Sequence, residues 1–284
     1  MSVMAGARWC ERYPPGVPMT DAEVALAAVA AGAQVVERDY GDEHVRLMKT
    51  ATDFATRTDV EAERAVVTVL TEQRPLDART GEESGRAGSP DAARRWLIDP
   101  LCGTLNFAAT TPLSVVNVAL SENGEVRVAA AADPASGERF WTDGDAAYVR
   151  VAGSPDVRLE PTSISKLVDI NCDGPLDQPF VGGQLVGDPK LRAAFGPRVI
   201  SSTLAVAWVA AGRRAAYVSD GFFRDNVHFA AGIALCQAAG CSISDFAGEP
   251  LHTGRGLVIA ADPNTHDAVL ELIEPHLRAA GPHV

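Results

Sequence analysis

Three short stretches of this chain hold residue types that can do chemistry together. Trp96-Leu97-Ile98-Asp99-Pro100-Leu101-Cys102-Gly103-Thr104-Leu105-Asn106-Phe107 runs from an apolar, β-prone tripeptide into Asp-Pro and then Cys-Gly-Thr. That pattern predicts a strand ending in a sharp turn, which presents one carboxylate, one thiol and a row of backbone N–H groups. Gly81-Glu82-Glu83-Ser84 lies in a polar stretch just upstream. A loop acid and a strand-end acid on separate elements are what a hard divalent cation requires, although a lone Glu-Glu pair more often marks a solvated loop. Val227-His228-Phe229-Ala230-Ala231-Gly232 places an imidazole at the start of an apolar helix, where a lone histidine is usually structural.

The surrounding pattern says which elements must position these groups. Thr20-Asp21-Ala22-Glu23 is a capping box opening an Ala-rich helix to about Tyr40. A second helix is expected from Thr58 or Asp59 to Gln73, with Thr58-Asp59 as cap and first-turn acid. Arg74 to Pro90 reads as a polar loop. Strand signals follow at Trp96–Ile98, Leu113–Leu120, Val126–Ala132, Arg139–Trp141 and Ala146–Val151, with turns at Asp133-Pro134 and Ser136-Gly137. The polar stretch from Gly153 to Pro161 suits a boundary, so the chain divides into a tail (1–19), an N-terminal α+β subdomain (20–155) and a C-terminal α/β subdomain (156–284).

The second half alternates again. Short strands are expected at Val168–Asn171, Val199–Ile200 and Ala215–Val218. Helices are expected over Thr203–Ala211, His228–Ala239 and Asn264–Ala280, with a hairpin-like segment from Cys241–Phe246 to Leu257–Ala260. The class is mixed α/β with layered helices and sheets.

Composition limits the partners. With 284 residues, 46% of them hydrophobic, the chain can bury one large core or two modest ones. Its longest small-apolar run, Ala25 to Ala33, is too short to span a bilayer, so no membrane partner is expected. The first nineteen residues lack a secretory pattern and five irregularly spaced cysteines fit reduced thiols, so a cytoplasmic location is expected. Cys236 and Cys241 read as small core residues, and His252, His266, His276 and His283 as surface residues. A net charge of −12 argues against a nucleic-acid backbone as partner and leaves small phosphorylated molecules open.

The Asp99–Thr104 segment resembles the Asp-Pro-x-Asp-Gly-Thr motif of the inositol monophosphatase superfamily, Mg²⁺-dependent, Li⁺-sensitive phosphatases of sugar, inositol and nucleotide phosphates. Gly81-Glu82-Glu83 and the stretch from Lys49 to Glu63 resemble two further motifs of that family. Val227–Gly232 resembles a third, Trp-Asp-x-Ala-Ala-Gly, and the likeness runs from about Lys49 to the last helix. The resemblance implies an alternating α-β-α-β-α sandwich, commonly a homodimer, that binds a small phosphorylated metabolite between its subdomains. By the same match, Glu82, Asp99 and the Leu101 carbonyl would hold Mg²⁺. Thr104 and the Gly103 and Thr104 amides would contact phosphate, and Glu82, Asp59 and Thr104 would position the attacking water. Glu63 would be a structural helix residue.

The chain departs from the family at two places. Cys102 and His228 stand where the family has aspartates that ligate a second metal ion, so the two should be neighbours. Three readings follow: a phosphatase with one remaining ion, or a silent binder; a Zn²⁺ site of Asp99, Cys102 and His228; or a Cys102 nucleophile with His228 as base. Arg213-Arg214 and Arg224-Asp225 lie where family members contact the rest of the substrate. The usual acidic hydroxyl-binding residue is missing, with Asp220 or Asp225 the nearest substitutes.

Overall fold

The computed structural model describes residues 18–42, 46–49, 54–173, 180–252 and 254–279. Five layers alternate helix, sheet, helix, sheet and helix, the sandwich implied by the resemblance.

The first layer is a pair of helices, Asp21–Asp39 and Arg57–Gln73. Thr20 and Glu23 form the expected capping box. The second helix is capped by Thr56 rather than Thr58, because Thr56 pairs with Asp59 as a second capping box and Thr58 lies inside the first turn. The pair covers one face of an eight-stranded sheet. Across that sheet run, in spatial order, Val157–Arg158, Ala147–Arg150, Arg139–Thr142, Glu125–Ala132, Val115–Glu122, Arg94–Cys102, Ala78–Gly81 and Gly85–Ala87. Only the pairing of Ala78–Gly81 with Arg94–Cys102 is parallel in this sheet. Two of these strands fall in the stretch 74–90 expected to be loop; their polar, half-exposed residues at a sheet edge lack the apolar alternation that would reveal them. The sheet also continues to Arg158, past the expected boundary at 155.

The period of two along Arg94–Cys102 decides which side chains face the chemistry. Trp96 and Ile98 turn toward the helix pair and are fully buried there with Val66 and Leu70. Burying each such aliphatic side chain contributes about 1.5–3 kcal/mol. Leu97 turns to the other face, where it packs on Ala231 and Ala234 of the helix Ala230–Ala239. Asp99 shares the parity of Leu97, so its carboxylate faces the central helical layer.

That central layer also holds the helix Leu204–Ala210, and its residues join both sheets in one core containing Val115, Phe140, Leu204, Tyr217, Phe229 and Leu257. The second sheet has five strands in the order Gly196–Val199, Leu167–Ile170, Ala216–Ser219, Leu257–Ala260 and Ser242–Ser244, the first three parallel to one another. Its outer face is covered by Val181–Gly187, Pro189–Ala194 and Pro263–Ala279. The first two of these helices are absent from the sequence reading, since they are short and rich in glycine or begin at proline. Among the described residues, no helix is long and apolar enough to cross a membrane.

Candidate active site

The strand Arg94–Cys102 does not simply end at Asp99. It pairs Asp99 with Asn117, loses register across Pro100 and Leu101, and resumes with Cys102 opposite Val115. This bulge is where proline, lacking an N–H, costs the ladder least. Gly103 then turns the chain with φ of 102° and has Leu113 O so close that a Cβ would meet it at 2.7 Å. Thr104 opens the short helix Thr104–Ala108.

Thr104 and Asp59 form one end of the site. The Thr104 hydroxyl lies 2.8 Å from Asp59 Oδ1 and 3.0 Å from the Leu101 carbonyl, both of which accept. Asp59 is fully buried and its Oδ2 accepts from the Thr56 N–H at 2.7 Å and the Thr56 hydroxyl at 2.6 Å. Burial raises its pKa, while the hydrogen bonds from Thr56 and Thr104 oppose the rise. The cap of one helix and the first residue of another are thus joined through a single carboxylate. The expected neighbours Asp59 and Thr104 are brought together.

Glu82 is placed from the parallel strand. Its N–H donates to Ile98 O at 3.1 Å, continuing the ladder by one residue beyond Gly81. Glu63 fixes the turn that follows, with its two oxygens accepting from the Glu83 and Ser84 N–H groups at 2.9 and 2.8 Å. A side chain at Gly81 would collide with that carboxylate, its Cβ standing 2.5 Å from Glu63 Oε1. Glu63 is therefore structural, as expected. Lys49 was not among the expected site residues, yet its ammonium donates to Glu82 Oε1 and Glu83 Oε1, each at 2.7 Å. Burial works against the Lys49 charge, but the two carboxylates outweigh it and hold the ammonium protonated. The signal was available: a lone lysine ten residues ahead of a capped aspartate, with an acidic pair downstream to receive it.

At the other end the structure brings Asp99, Cys102 and His228 together, their ligand atoms all within 4.8 Å of one another. His228 precedes its helix by two residues rather than opening it. Its backbone N–H donates to Asn226 Oδ1 at 3.0 Å, and its carbonyl accepts from Asn117 Nδ2 at 3.4 Å. The ring Nδ1 lies 2.8 Å from Asp99 Oδ2 and 3.8 Å from Glu82 Oε2. Burial disfavours the imidazolium, but the Asp99 and Glu82 carboxylates outweigh it and raise His228 to about 9. Glu82 is pushed up to about 8 by burial and by Asp99, against the pull of His228 and Lys49.

The thiol is not paired with the imidazole. Cys102 Sγ instead accepts the Thr203 N–H at 3.2 Å, while His228 Nδ1 is engaged by Asp99. Loss of solvent around the sulfur pushes the thiol well above its usual range, and Asp99 adds to the push. This arrangement does not supply the base that the nucleophile reading requires. Thr203 itself is held by Asn117 Nδ2, which donates to its hydroxyl at 2.8 Å. Neither Asn117 nor Thr203 was expected at the site, because Asn117 lies unmarked inside an apolar strand and Thr203 reads only as the start of an apolar helix.

The expected substrate-side residues fare differently. Asp220 is not free to bind a substrate hydroxyl. Its carboxylate, 2% exposed, accepts from Arg255 Nε and Nη2 at 2.5 and 2.7 Å and from the Val181 and Gly221 N–H groups. Asp225 is exposed on the connecting loop in a left-handed conformation, with φ of 54°. Arg213 pairs with Glu138, and Arg214 with the buried Asp169. One of the remaining side-chain expectations is also corrected, that for His266, while His276 stays partly exposed. His266 is buried and bonded to Ser244 Oγ at 2.9 Å, and His276 lies 3.0 Å from Asp188. His283 lies outside the described residues. Cys236 is buried in the core and Cys241 packs against it from a partly exposed position.

The donor chemistry separates the cation positions. Glu82, Asp99 and the Leu101 carbonyl are all oxygens and fit a hard ion such as Mg²⁺. Asp99, Cys102 and His228 offer one oxygen, one sulfur and one nitrogen, and that set does not fit Mg²⁺.

Comparison with known proteins agrees with this architecture. The sequence model of the inositol monophosphatase family matches residues 18–278. The chain is 31% identical over 264 residues to an inositol-1-monophosphatase of Mesorhizobium japonicum, covering 89% of this chain and 95% of that one. It is 30% identical over 273 residues to the Nus factor SuhB of Escherichia coli K12, covering 90% and 97%. Among solved structures, an IMPase of Thermotoga maritima superposes with a TM-score of 0.76 at 22% identity, covering 89% of this chain and 96% of that one. The extragenic suppressor protein suhB of Bartonella henselae gives 0.75 at 22% identity, covering 88% and 97%. With the motifs, the layered fold and these likenesses in agreement, the chain belongs to the inositol monophosphatase family.

Proposed function

We propose that this chain hydrolyses the phosphomonoester of a small phosphorylated metabolite, a sugar, cyclitol or nucleotide phosphate, with water as nucleophile. The observation that carries the reading is the Thr104 hydroxyl, bonded to buried Asp59 and set at the turn where the Gly103 and Thr104 amides begin a helix. When Thr104 donates to Asp59, its oxygen lone pairs are left to accept from a water. Glu82, raised by burial, supplies a second oxygen that can accept the other proton of that water. The Gly103 and Thr104 amides would hold phosphate oxygens.

Glu82, Asp99 and the Leu101 carbonyl would hold Mg²⁺, which supplies Lewis-acid stabilisation of the phosphoryl oxygens. Lys49 keeps Glu82 in place from the side away from His228. One observation favours a second reading, that of a protein which binds a phosphorylated ligand without turnover: His228 Nδ1 already occupies Asp99 Oδ2.

A panel of phosphomonoesters, assayed for released phosphate with Mg²⁺ and with chelator, tests the proposal. Release from at least one substrate, lost with chelator and in Thr104→Ala, is the expected result. Binding of a phosphate ester by calorimetry with no release under Mg²⁺, Mn²⁺ or Zn²⁺ would overturn hydrolysis in favour of the silent reading.

A further inference from the structure

We propose that Asp99, Cys102 and His228 form a binding site for one borderline-soft cation of the Zn²⁺ class, selective against Mg²⁺. The inference takes its place in the cleft from the hydrolase reading above, and its evidence is the geometry of the three side chains.

The donors come from two elements, the strand Arg94–Cys102 and the loop ahead of the helix Ala230–Ala239. Asp99 lies before the strand bulge and Cys102 after it, while His228 comes from the loop entering the helix Ala230–Ala239. Their ligand atoms already lie within 4.8 Å of one another. A tetrahedral Zn²⁺ with ligand bonds of about 2.0–2.3 Å needs its donors roughly 3.3–3.8 Å apart. Side-chain adjustments of about an ångström therefore close the site, with no movement of the sheet.

Each donor is also oriented by a neighbour in the way metal ligands are. The Leu101 N–H donates to Asp99 Oδ1 at 3.2 Å, leaving Oδ2 turned to His228. The Thr203 N–H donates to Cys102 Sγ at 3.2 Å, so the sulfur already serves as an acceptor. His228 is fixed through its backbone by Asn226 and Asn117, and its Nδ1 meets Asp99 Oδ2 at 2.8 Å, the contact that a cation between them would replace. The ring is 39% exposed, so the fourth position opens to the cleft, with Glu82 Oε2 3.8 Å from Nδ1. Three protein ligands and one open position is the arrangement of a working zinc site rather than a closed structural one. Sulfur and imidazole together select such ions over Mg²⁺.

The test is a titration of the chelator-stripped full chain with Co²⁺ alone, followed by absorption spectroscopy. One Co²⁺ per chain, a thiolate-to-cobalt charge-transfer band, displacement by Zn²⁺ and persistence in a large excess of Mg²⁺ are expected. Cys102→Ser should abolish the band, and His228→Ala should weaken Zn²⁺ binding by more than about 100-fold, beyond the loss of an outer-shell partner. Circular dichroism of both variants reports whether they fold. Cys102→Asp should let Mg²⁺ compete.

Absence of the band in the folded wild-type chain, displacement of Co²⁺ by Mg²⁺, or an unchanged Zn²⁺ affinity in folded Cys102→Ser would overturn the proposal. No substrate enters this measurement. Failed turnover with an intact band thus counts against the hydrolase reading alone, and Mg²⁺-supported turnover without a band counts against the zinc site alone.

Discussion

The two ends of the cleft are built on opposite plans. At one end, buried Asp59 receives hydrogen bonds from the Thr56 N–H, the Thr56 hydroxyl and the Thr104 hydroxyl, and it also closes the capping box of a 17-residue helix. At the other, Cys102 is half-buried and His228 is 39% exposed; Cys102 takes a single N–H, that of Thr203 ahead of the helix Leu204–Ala210, and His228 precedes its helix without capping it. A residue that satisfies a helix end and the Thr104 hydroxyl at once cannot change without cost to folding. The side chains at 102 and 228 close no capping box, so a change at either should cost folding less than a change at Asp59.

Thr104→Ala tests this contrast with the largest effect. It removes the hydroxyl that donates to Asp59 and that, on the proposed mechanism, holds the attacking water, so kcat should fall on the order of 10²–10⁴-fold, the usual share of positioned proton transfer. KM should stay within a few-fold, because the backbone amides that face phosphate remain. Steady-state kinetics beside Cys102→Ala decide the matter. If Cys102→Ala were the more damaging of the two under Mg²⁺, the division of the cleft would be reversed.

Gly81→Ala probes the support beneath the first end. The added Cβ would stand 2.5 Å from Glu63 Oε1, so the carboxylate must leave the Glu83 and Ser84 N–H groups. Both N–H groups lie in a partly exposed turn where water can replace the carboxylate, so a stability loss of about 1–2 kcal/mol is expected by urea denaturation. Glu63→Gln, which keeps one acceptor oxygen, should lose less. An unchanged midpoint for Gly81→Ala would mean that the turn can repack without Glu63.

Much of this was legible in the sequence for a physical reason. Capping boxes, alternation and glycine ends are local signals, and they located both N-terminal helices, most strands and the C-terminal hairpin. The juxtaposition of Cys102 with His228 was legible only through the family resemblance, since nothing local links positions 126 residues apart. Lys49, Asn117 and Thr203 were missed because their roles arise from tertiary placement. Asn117 is opposite Asp99 only through strand register, and Thr203 meets Cys102 only because the central helix layer touches the bulge. Asp220 misled for the converse reason: an acid near a site looks available until Arg255, remote in sequence, is seen to claim both its oxygens.

A pH series on the chelator-treated protein sharpens the contrast further. Glu82 rises from an ordinary 4.5 to about 8, and His228 from 6.5 to about 9. Both folded values lie above the unfolded ones, so each contribution is complete at low pH and is lost as pH rises through the folded value. Thermal midpoints should therefore fall from pH 4.5 to about 8 through Glu82 and from pH 6.5 to about 9 through His228, by an amount that solvent screening of the partly exposed ring keeps modest. His228→Asn should flatten the upper part of that fall while leaving the Asp59 end untouched. A profile that rises with pH would show that the carboxylates and the imidazole are not coupled as the geometry indicates.

The smallest effect is expected outside both ends. Asp225 sits on the exposed loop between the Ala216–Ser219 strand and the Ala230–Ala239 helix, in a left-handed conformation that asparagine tolerates as readily as aspartate. Asp225→Asn thus removes the charge and keeps the backbone. Surface changes of this kind usually stay within about 0.5 kcal/mol, so stability should be unchanged and kcat/KM should stay within about twofold. A tenfold rise in KM at constant kcat would carry a different message: the substrate's non-phosphate portion would then reach the 222–226 loop, and specificity would reside on an element that belongs to neither end of the cleft.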